Sequence, residues 1–280
     1  MFRRMLIASS LVACVTATAK GQLVRSGAGP GAAQTAFDLF RVDLGGGTVG
    51  GANGSFGGLR REINWDGVPA VFSAPNNLPG NFFNSNSPRG AVLSTPGTGF
   101  QLSGATTDVG VGQPAAANFG NINPTYSSVF SPFSAQRLFT PVGSNITDVT
   151  FFVAGTSTAG LTRGFGSIFS DVDFVNISSI EFFDVNSASL GNFFVPNFAG
   201  QPSLSFLGVS FATPVVSRVR ITAGNAALSA NTNDGGQTDL VVMDDFVFGE
   251  VVTPEPATLA LLAIGLLTVG VAARRRSANT

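Results

Sequence analysis

The sequence predicts an all-β fold, an antiparallel β-sandwich, and three observations carry that prediction. Composition comes first: 35 glycines and 26 phenylalanines stand among 280 residues, and only 11% are charged, against roughly 25% in average globular chains. Glycine supplies the positive φ of tight turns, and aromatic rings suit a pleated, half-buried surface. Long helices would need Ala, Leu, Glu, Lys and Arg together. Second, short apolar segments recur between turn signals, most densely after residue 147. Third, no repeat of fixed period is visible, which argues against a β-helix or propeller.

Taken in chain order, Met1 to Ala19 reads as a signal peptide. Arg3 and Arg4 precede an apolar stretch, and Ala17-Thr18-Ala19 is a small-x-small cleavage pattern. A second processing route is visible in Leu11-Val12-Ala13-Cys14, a lipobox-like string in which Cys14 would be lipidated. Residues 20–36 are small and Gly/Ala-rich and read as a flexible leader. The sandwich is expected over 37–250, with a sub-boundary near residue 115 left open. Its first strand is expected over Phe37 to Leu44, with Phe37, Leu39 and Val42 apolar. Gly45 to Gly58 is a glycine-rich loop without the Gly-Lys-Ser/Thr of a phosphate loop. Arg60 to Asp66 reads as a strand closing in a turn at Asp66-Gly67. Residues 74–90 suit an irregular loop anchored by Phe82-Phe83, and 91–93 and 99–103 suit short strands.

Stronger strand signals follow at Asp148 to Ala154 and at Gly164 to Phe174. Ser179 to Val185 and Ser189 to Val195 flank Asn186-Ser187-Ala188 and read as a hairpin. Ser203 to Phe211 comes next, then Val215 to Thr222 with Val219 and Ile221 alternating against Arg218 and Arg220. Asn231 to Gln237 is a polar loop, and Leu240 to Phe248 is the closing strand.

Absences restrict the chemistry. The chain has no histidine, so the commonest general base and any Ser-His-Asp or Cys-His arrangement are excluded. Its one cysteine, Cys14, lies in the export signal, so cleavage after Ala19 leaves no disulfide and no thiolate metal site. The exported domain must then be held by its core, with calcium the candidate cofactor. From Lys20 to Thr253 ten basic and fifteen acidic residues leave a net charge near −5. The basic residues are scattered, which argues against nucleic acid as a partner.

Candidate sites are carboxylates and one ring. Asp244 and Asp245 are adjacent on a strand, so their side chains are expected on opposite faces, a poor acid/base pair. Either is a candidate calcium ligand with Asp171 or Asp173; the plainer reading is a structural aspartate accepting backbone hydrogen bonds. Asp171 and Asp173 fall on one face of the expected strand, which reads as half a calcium site or as a solvated face. Asn233-Asp234-Gly235-Gly236 with Asp239 is reminiscent of calcium loops but lacks EF-hand spacing, so a turn is the plainer reading. Trp65 is a candidate carbohydrate platform, or else a core aromatic.

The C-terminal 251–280 reads in three parts: Pro254-Glu255-Pro256, an uncharged apolar stretch taken as a transmembrane helix over 257–273, and Arg274-Arg275-Arg276. The arginines place that end on the cytoplasmic side. This order and spacing resembles the PEP-CTERM sorting signal. The resemblance implies recognition by an exosortase, cleavage near Pro-Glu-Pro, and delivery to the surface or exopolysaccharide matrix of a Gram-negative bacterium. The same segment occurs on some ice-binding-type proteins, so it names a destination rather than an activity. The hairpin and the closing Met-Asp-Asp-Phe strand resemble jelly-roll, lectin-like domains, which implies carbohydrate as a candidate ligand. The expected function is therefore a non-enzymatic surface or matrix protein. A carboxylate-dependent glycan hydrolase is the alternative, since two acids suffice for that chemistry, and ice binding ranks behind it.

Overall fold

The computed structural model describes residues 21–46, 59–105 and 114–254. The expected signal peptide with Cys14, Ala17 and Ala19, the expected helix over 257–273, and Glu255, Pro256 and Arg274 to Arg276 lie outside the described residues. Among the described residues no helix is long and apolar enough to cross a membrane.

In chain order the elements are β1 (Gln22–Ala28), α1 (Pro30–Asp43), β2 (Arg60–Ile63), α2 (Phe82–Ser85), β3 (Ala91–Ser94), β4 (Gly99–Leu102), β5 (Phe139–Val142), β6 (Ile146–Phe151), β7 (Gly164–Ser170), β8 (Ser179–Phe183), β9 (Ser189–Phe194), β10 (Leu204–Phe211), β11 (Arg218–Thr222) and β12 (Val242–Gly249). They form two antiparallel sheets. One runs β1-β10-β7-β12-β5-β4, with β2 also on β12; the other runs β3-β6-β11-β8-β9. The expected hairpin is β8–β9, and the expected closing strand is β12, central in its sheet.

The sandwich core lies between the sheets. Phe139, Phe165, Phe169, Met243, Phe246 and Phe248 from the first meet Val149, Phe151, Ile180, Phe182, Val219 and Ile221 from the second. The second sheet is covered on one face only, so its strands alternate. Val219 and Ile221 of β11 point inward, while Arg218 and Arg220 bind Asp148 of the neighbouring β6 at 2.7 and 2.8 Å on the outer face. Strands β7, β10 and β12 are buried along their whole length. Their outer face is covered as well, in part by α1: Ala33, Ala36, Phe37, Phe40 and Leu44 pack on Ile168, Leu204, Phe206 and Val247. Gly208 makes that close approach feasible, because a Cβ there would stand 2.9 Å from Phe40 Cγ.

The N-terminal reading is corrected twice. The described part of the expected leader, residues 21–36, is built into the fold: β1 pairs with β10 over seven residues, and α1 starts at Pro30. The strand expected over Phe37 to Leu44 is the second half of α1. Its buried positions Ala33, Ala36, Phe37 and Phe40 repeat at helical spacing, whereas Leu39 and Val42 are 44% and 65% exposed. Proline at the first helical position pre-sets φ for the helix start. Strand β5 was not anticipated, because Pro141 demotes its segment. It is tolerated because only Phe139 of β5 meets β12, leaving Pro141 to pair with Phe100 on the β4 side.

Candidate functional site

Antiparallel pairing brings the C-terminal end of β7 beside the N-terminal ends of β10 and β12, since Ser170 is opposite both Leu204 and Val242. The chain segments leaving and entering at that end carry four aspartates. Strand β7 ends at Ser170, one residue before Asp171, so Asp171 and Asp173 are not strand residues on a solvated face. Asp171 turns the chain with φ 75° and is only 3% exposed. Asp234 and Asp239 come from the β11–β12 connection. One carboxylate oxygen from each of Asp171, Asp173 and Asp234 lies within 4.8 Å of the others. The three residues line an open cavity of about 470 Å³, together with Ser128, Phe174 and Gln201.

The loop that brings Asp234 there is tied down by residues with no functional signal in the sequence. The Tyr126 hydroxyl, with one hydrogen to share, lies 2.9 and 2.7 Å from the carbonyls of Ser229 and Thr232. Asn123 donates to the Thr232 carbonyl and to Asn233 Oδ1 at 3.2 and 3.0 Å. Gly235 and Gly236, at φ 102° and 68°, then turn the chain back towards Thr238. Asp234 Oδ1 accepts from the Leu240 amide at 2.9 Å, and Asp239 accepts from the amides of Asp173 and Phe174 at 3.2 and 3.3 Å. The calcium-like string Asn233-Asp234-Gly235-Gly236 is therefore a turn, as its plainer reading had it, and it also delivers a carboxylate to the cluster.

Electrostatically the cluster is unbalanced. Among the described residues, the ion pairs engage Asp38, Asp43, Glu62, Asp148 and Glu250, and not these four aspartates. Burial first, then the charges of Asp234, Asp173 and Asp239, push Asp171 up to about 8. Burial likewise pushes Asp239 up to about 6, against its two backbone donors. Asp171 Oδ2 is buried without any hydrogen-bond partner. Leaving a carboxylate oxygen bare is costly unless a proton or a cation meets it.

Asp244 and Asp245 are placed differently from the expectation. Met243 is opposite Phe169 and Phe246 opposite Ser167, so β12 carries one extra residue in a β-bulge at these two aspartates. The bulge breaks the alternation that would have sent them to opposite faces. Ser134 Oγ stands 3.3 Å from Asp244 Oδ1, 3.1 Å from Asp245 Oδ1 and 3.1 Å from Asp66 Oδ2. Asp244 also accepts from the amides of Phe133, Ser134 and Asp245. A hydroxyl has one hydrogen to donate, so the remaining contacts call for a proton on a carboxyl group. Burial and the neighbouring Asp245 charge push Asp244 upward, and burial foremost pushes Asp245 up to about 6. Both are buried. They fit the structural reading, and they do not join Asp171 and Asp173.

Trp65 is no platform. It is fully buried, stacked on Phe139 at 4.5 Å and edge-on to Phe83 and Phe246. The ring is the centre of an aromatic core that β2 and β5 complete.

At the C-terminal end, Val251 is buried and Val252 exchanges backbone hydrogen bonds with Leu161 at 2.8 and 2.9 Å. Pro254 follows two residues later. Comparison with curated proteins gives no match. The crystal structure of the bacteriophage CBA120 tailspike protein 4 enzymatically active domain is similar at 13% identity and a TM-score of 0.21. The likeness covers 66% of this chain and 22% of that one and carries no argument about fold or activity. Residues 252–276 match the family model of the PEP-CTERM protein-sorting motif, which implies exosortase processing, export and membrane-anchored sorting. This β-sandwich protein thus carries a PEP-CTERM sorting motif that begins where the last ladder contact of its fold ends.

Proposed function

We propose that the chain is delivered to the cell surface or exopolysaccharide matrix of a Gram-negative bacterium, where its sandwich acts without catalysis as a carbohydrate-contacting module. The observation that carries the destination is the sorting motif over residues 252–276. Its first residue, Val252, still pairs with Leu161 of the sandwich, so the sorting motif and the folded domain are continuous and travel together. The open cavity beside Ser128, Asp173 and Gln201 offers hydroxyl, carboxylate and amide groups of the kind that hydrogen-bond sugar hydroxyls. The absence of histidine and the burial of the Asp244–Asp245 pair favour a non-catalytic role.

The test is fractionation and intact mass of the full chain, expressed with an exosortase and in a mutant lacking it. Loss of the tail near Pro254-Glu255-Pro256 only with the exosortase supports the sorting route. A full-length tail in both hosts reduces the protein to a tethered sandwich. Binding to matrix polysaccharide is then measured on the same material, and no binding removes the carbohydrate part.

One observation favours a glycan hydrolase as a second reading. Asp171, held at about 8, stands in the open cavity near Asp173 and Asp234, an arrangement of an acid beside potential anions. Turnover of any glycan in a broad panel, abolished by Asp171→Asn, would establish it.

A further inference from the structure

We propose that Asp171, Asp173 and Asp234 form a calcium site that ties the β7–β8 connection to the β11–β12 connection. This inference rests on the cluster itself and is independent of the sorting reading; it shares Asp173 and its cavity with the carbohydrate reading, from which metal titration without any glycan separates it. Two separate observations carry it. The first is spacing: the three oxygens lie within 4.8 Å of one another. Calcium binds oxygen at roughly 2.3–2.6 Å, so two ligands on opposite sides of one ion are about 4.6–5.2 Å apart. Oxygens within that spacing can share one ion with no more than a small adjustment of their side chains. The second is the orphan. Asp171 is 3% exposed, lines the cavity, and keeps Oδ2 buried with no partner.

The donor set selects the ion. All three side chains offer hard oxygen and none offers nitrogen or sulfur, which favours calcium or magnesium over zinc or copper. The ligands come from two irregular loops beside an open cavity with room for water. Calcium accepts such irregular coordination by six to eight oxygens, whereas magnesium demands a near-ideal octahedron. Asp239 is a positioning residue: its carboxylate holds the amides of Asp173 and Phe174 and so fixes the backbone that presents Asp173. Without the ion, the loops hold mutually repelling charges with no cation paired to them. With it, both ends of the connection are clamped to the same sheet end.

Calorimetric titration of the chelator-treated full chain with calcium chloride, and separately with magnesium chloride, tests the site. One calcium per chain is expected, with weaker magnesium binding. Asp171→Asn and Asp234→Asn should each weaken calcium by at least the roughly 10–100-fold that loss of even an outer partner of a metal ligand costs. Asp38→Asn, on the exposed face of α1, should leave it unchanged. Thermal melting separates loss of the site from loss of the fold. Calcium should raise the melting temperature of the parent and not that of Asp171→Asn. In chelator, Asp171→Asn should melt at or above the parent, because an amide replaces a carboxyl group that is costly to bury. No calcium uptake by the parent, equal affinity in Asp171→Asn, or magnesium binding as tight as calcium would each overturn the proposal.

Discussion

Replacing Asp245 with asparagine should make the protein more stable at neutral pH and no different at acid pH. The carboxyl is 6% exposed, beside Asp244 and facing the same Ser134 hydroxyl as Asp66, and it titrates at about 6 in the fold against 3.8 in its absence. Because its affinity for the proton is raised by folding, the native state binds more protons than the unfolded one between those values. Stability is therefore full below about 3.8 and is lost as pH rises through 6. The difference corresponds to about 3 kcal/mol at roughly 1.4 kcal/mol for each tenfold change in proton affinity. Asparagine is neutral throughout, keeps an oxygen acceptor and adds an N–H donor towards Asp244. Asp245→Asn should match the parent near pH 4 and exceed it by about 3 kcal/mol at pH 7, or about 6–12 °C in melting temperature for a domain of this size. Urea unfolding at several pH values provides the assay, with the fluorescence of Trp65, the only tryptophan and fully buried, as reporter. Asp171 and its neighbours also titrate, but they are the same in both proteins and cancel in the difference; Asp244, pushed upward in part by the Asp245 charge, is relieved with it and shifts the difference in the same direction. Parallel stability curves from pH 4 to 7, or a variant less stable at pH 7, would refute the argument that the carboxylate is strained by burial.

Two further substitutions test the fold at other points. Trp65→Ala empties a site stacked against Phe139 and should cost about 3–5 kcal/mol in urea unfolding, while any binding of polysaccharide by the folded variant stays as in the parent. Arg61→Met leaves Glu250, its partner at 2.7 Å, buried without that cation and should cost about 3–5 kcal/mol. Adding Glu250→Leu should recover most of the loss, since an apolar pair of similar volume is often as stable as a buried ion pair.

The strands from residue 146 onward were legible because each is short, apolar and bounded by turn residues, and the hairpin of β8 with β9 was legible from the turn between them, though not the register shift at Phe182 and Phe183. The sorting tail was legible for a different reason: its three parts are contiguous in sequence and need no tertiary neighbour to be recognised. Helix α1 was not legible as a helix. Its glycines and alanines look like linker composition, and its Phe37 and Phe40 acquire meaning only against Ile168 and Phe206.

The sequence by itself determined the strand-rich class, the histidine-free chemistry and the address carried by residues 252–276, because composition and contiguous motifs are properties of the chain alone. Only the tertiary structure decided which carboxylates act together. Asp234 joins Asp171 and Asp173 across more than sixty residues because β7 and β12 are antiparallel neighbours. Asp244 and Asp245 meet Ser134 together because one extra residue in β12 breaks its alternation. Pairing and register are set by the whole sheet, and a bulge leaves no mark in the order of residues.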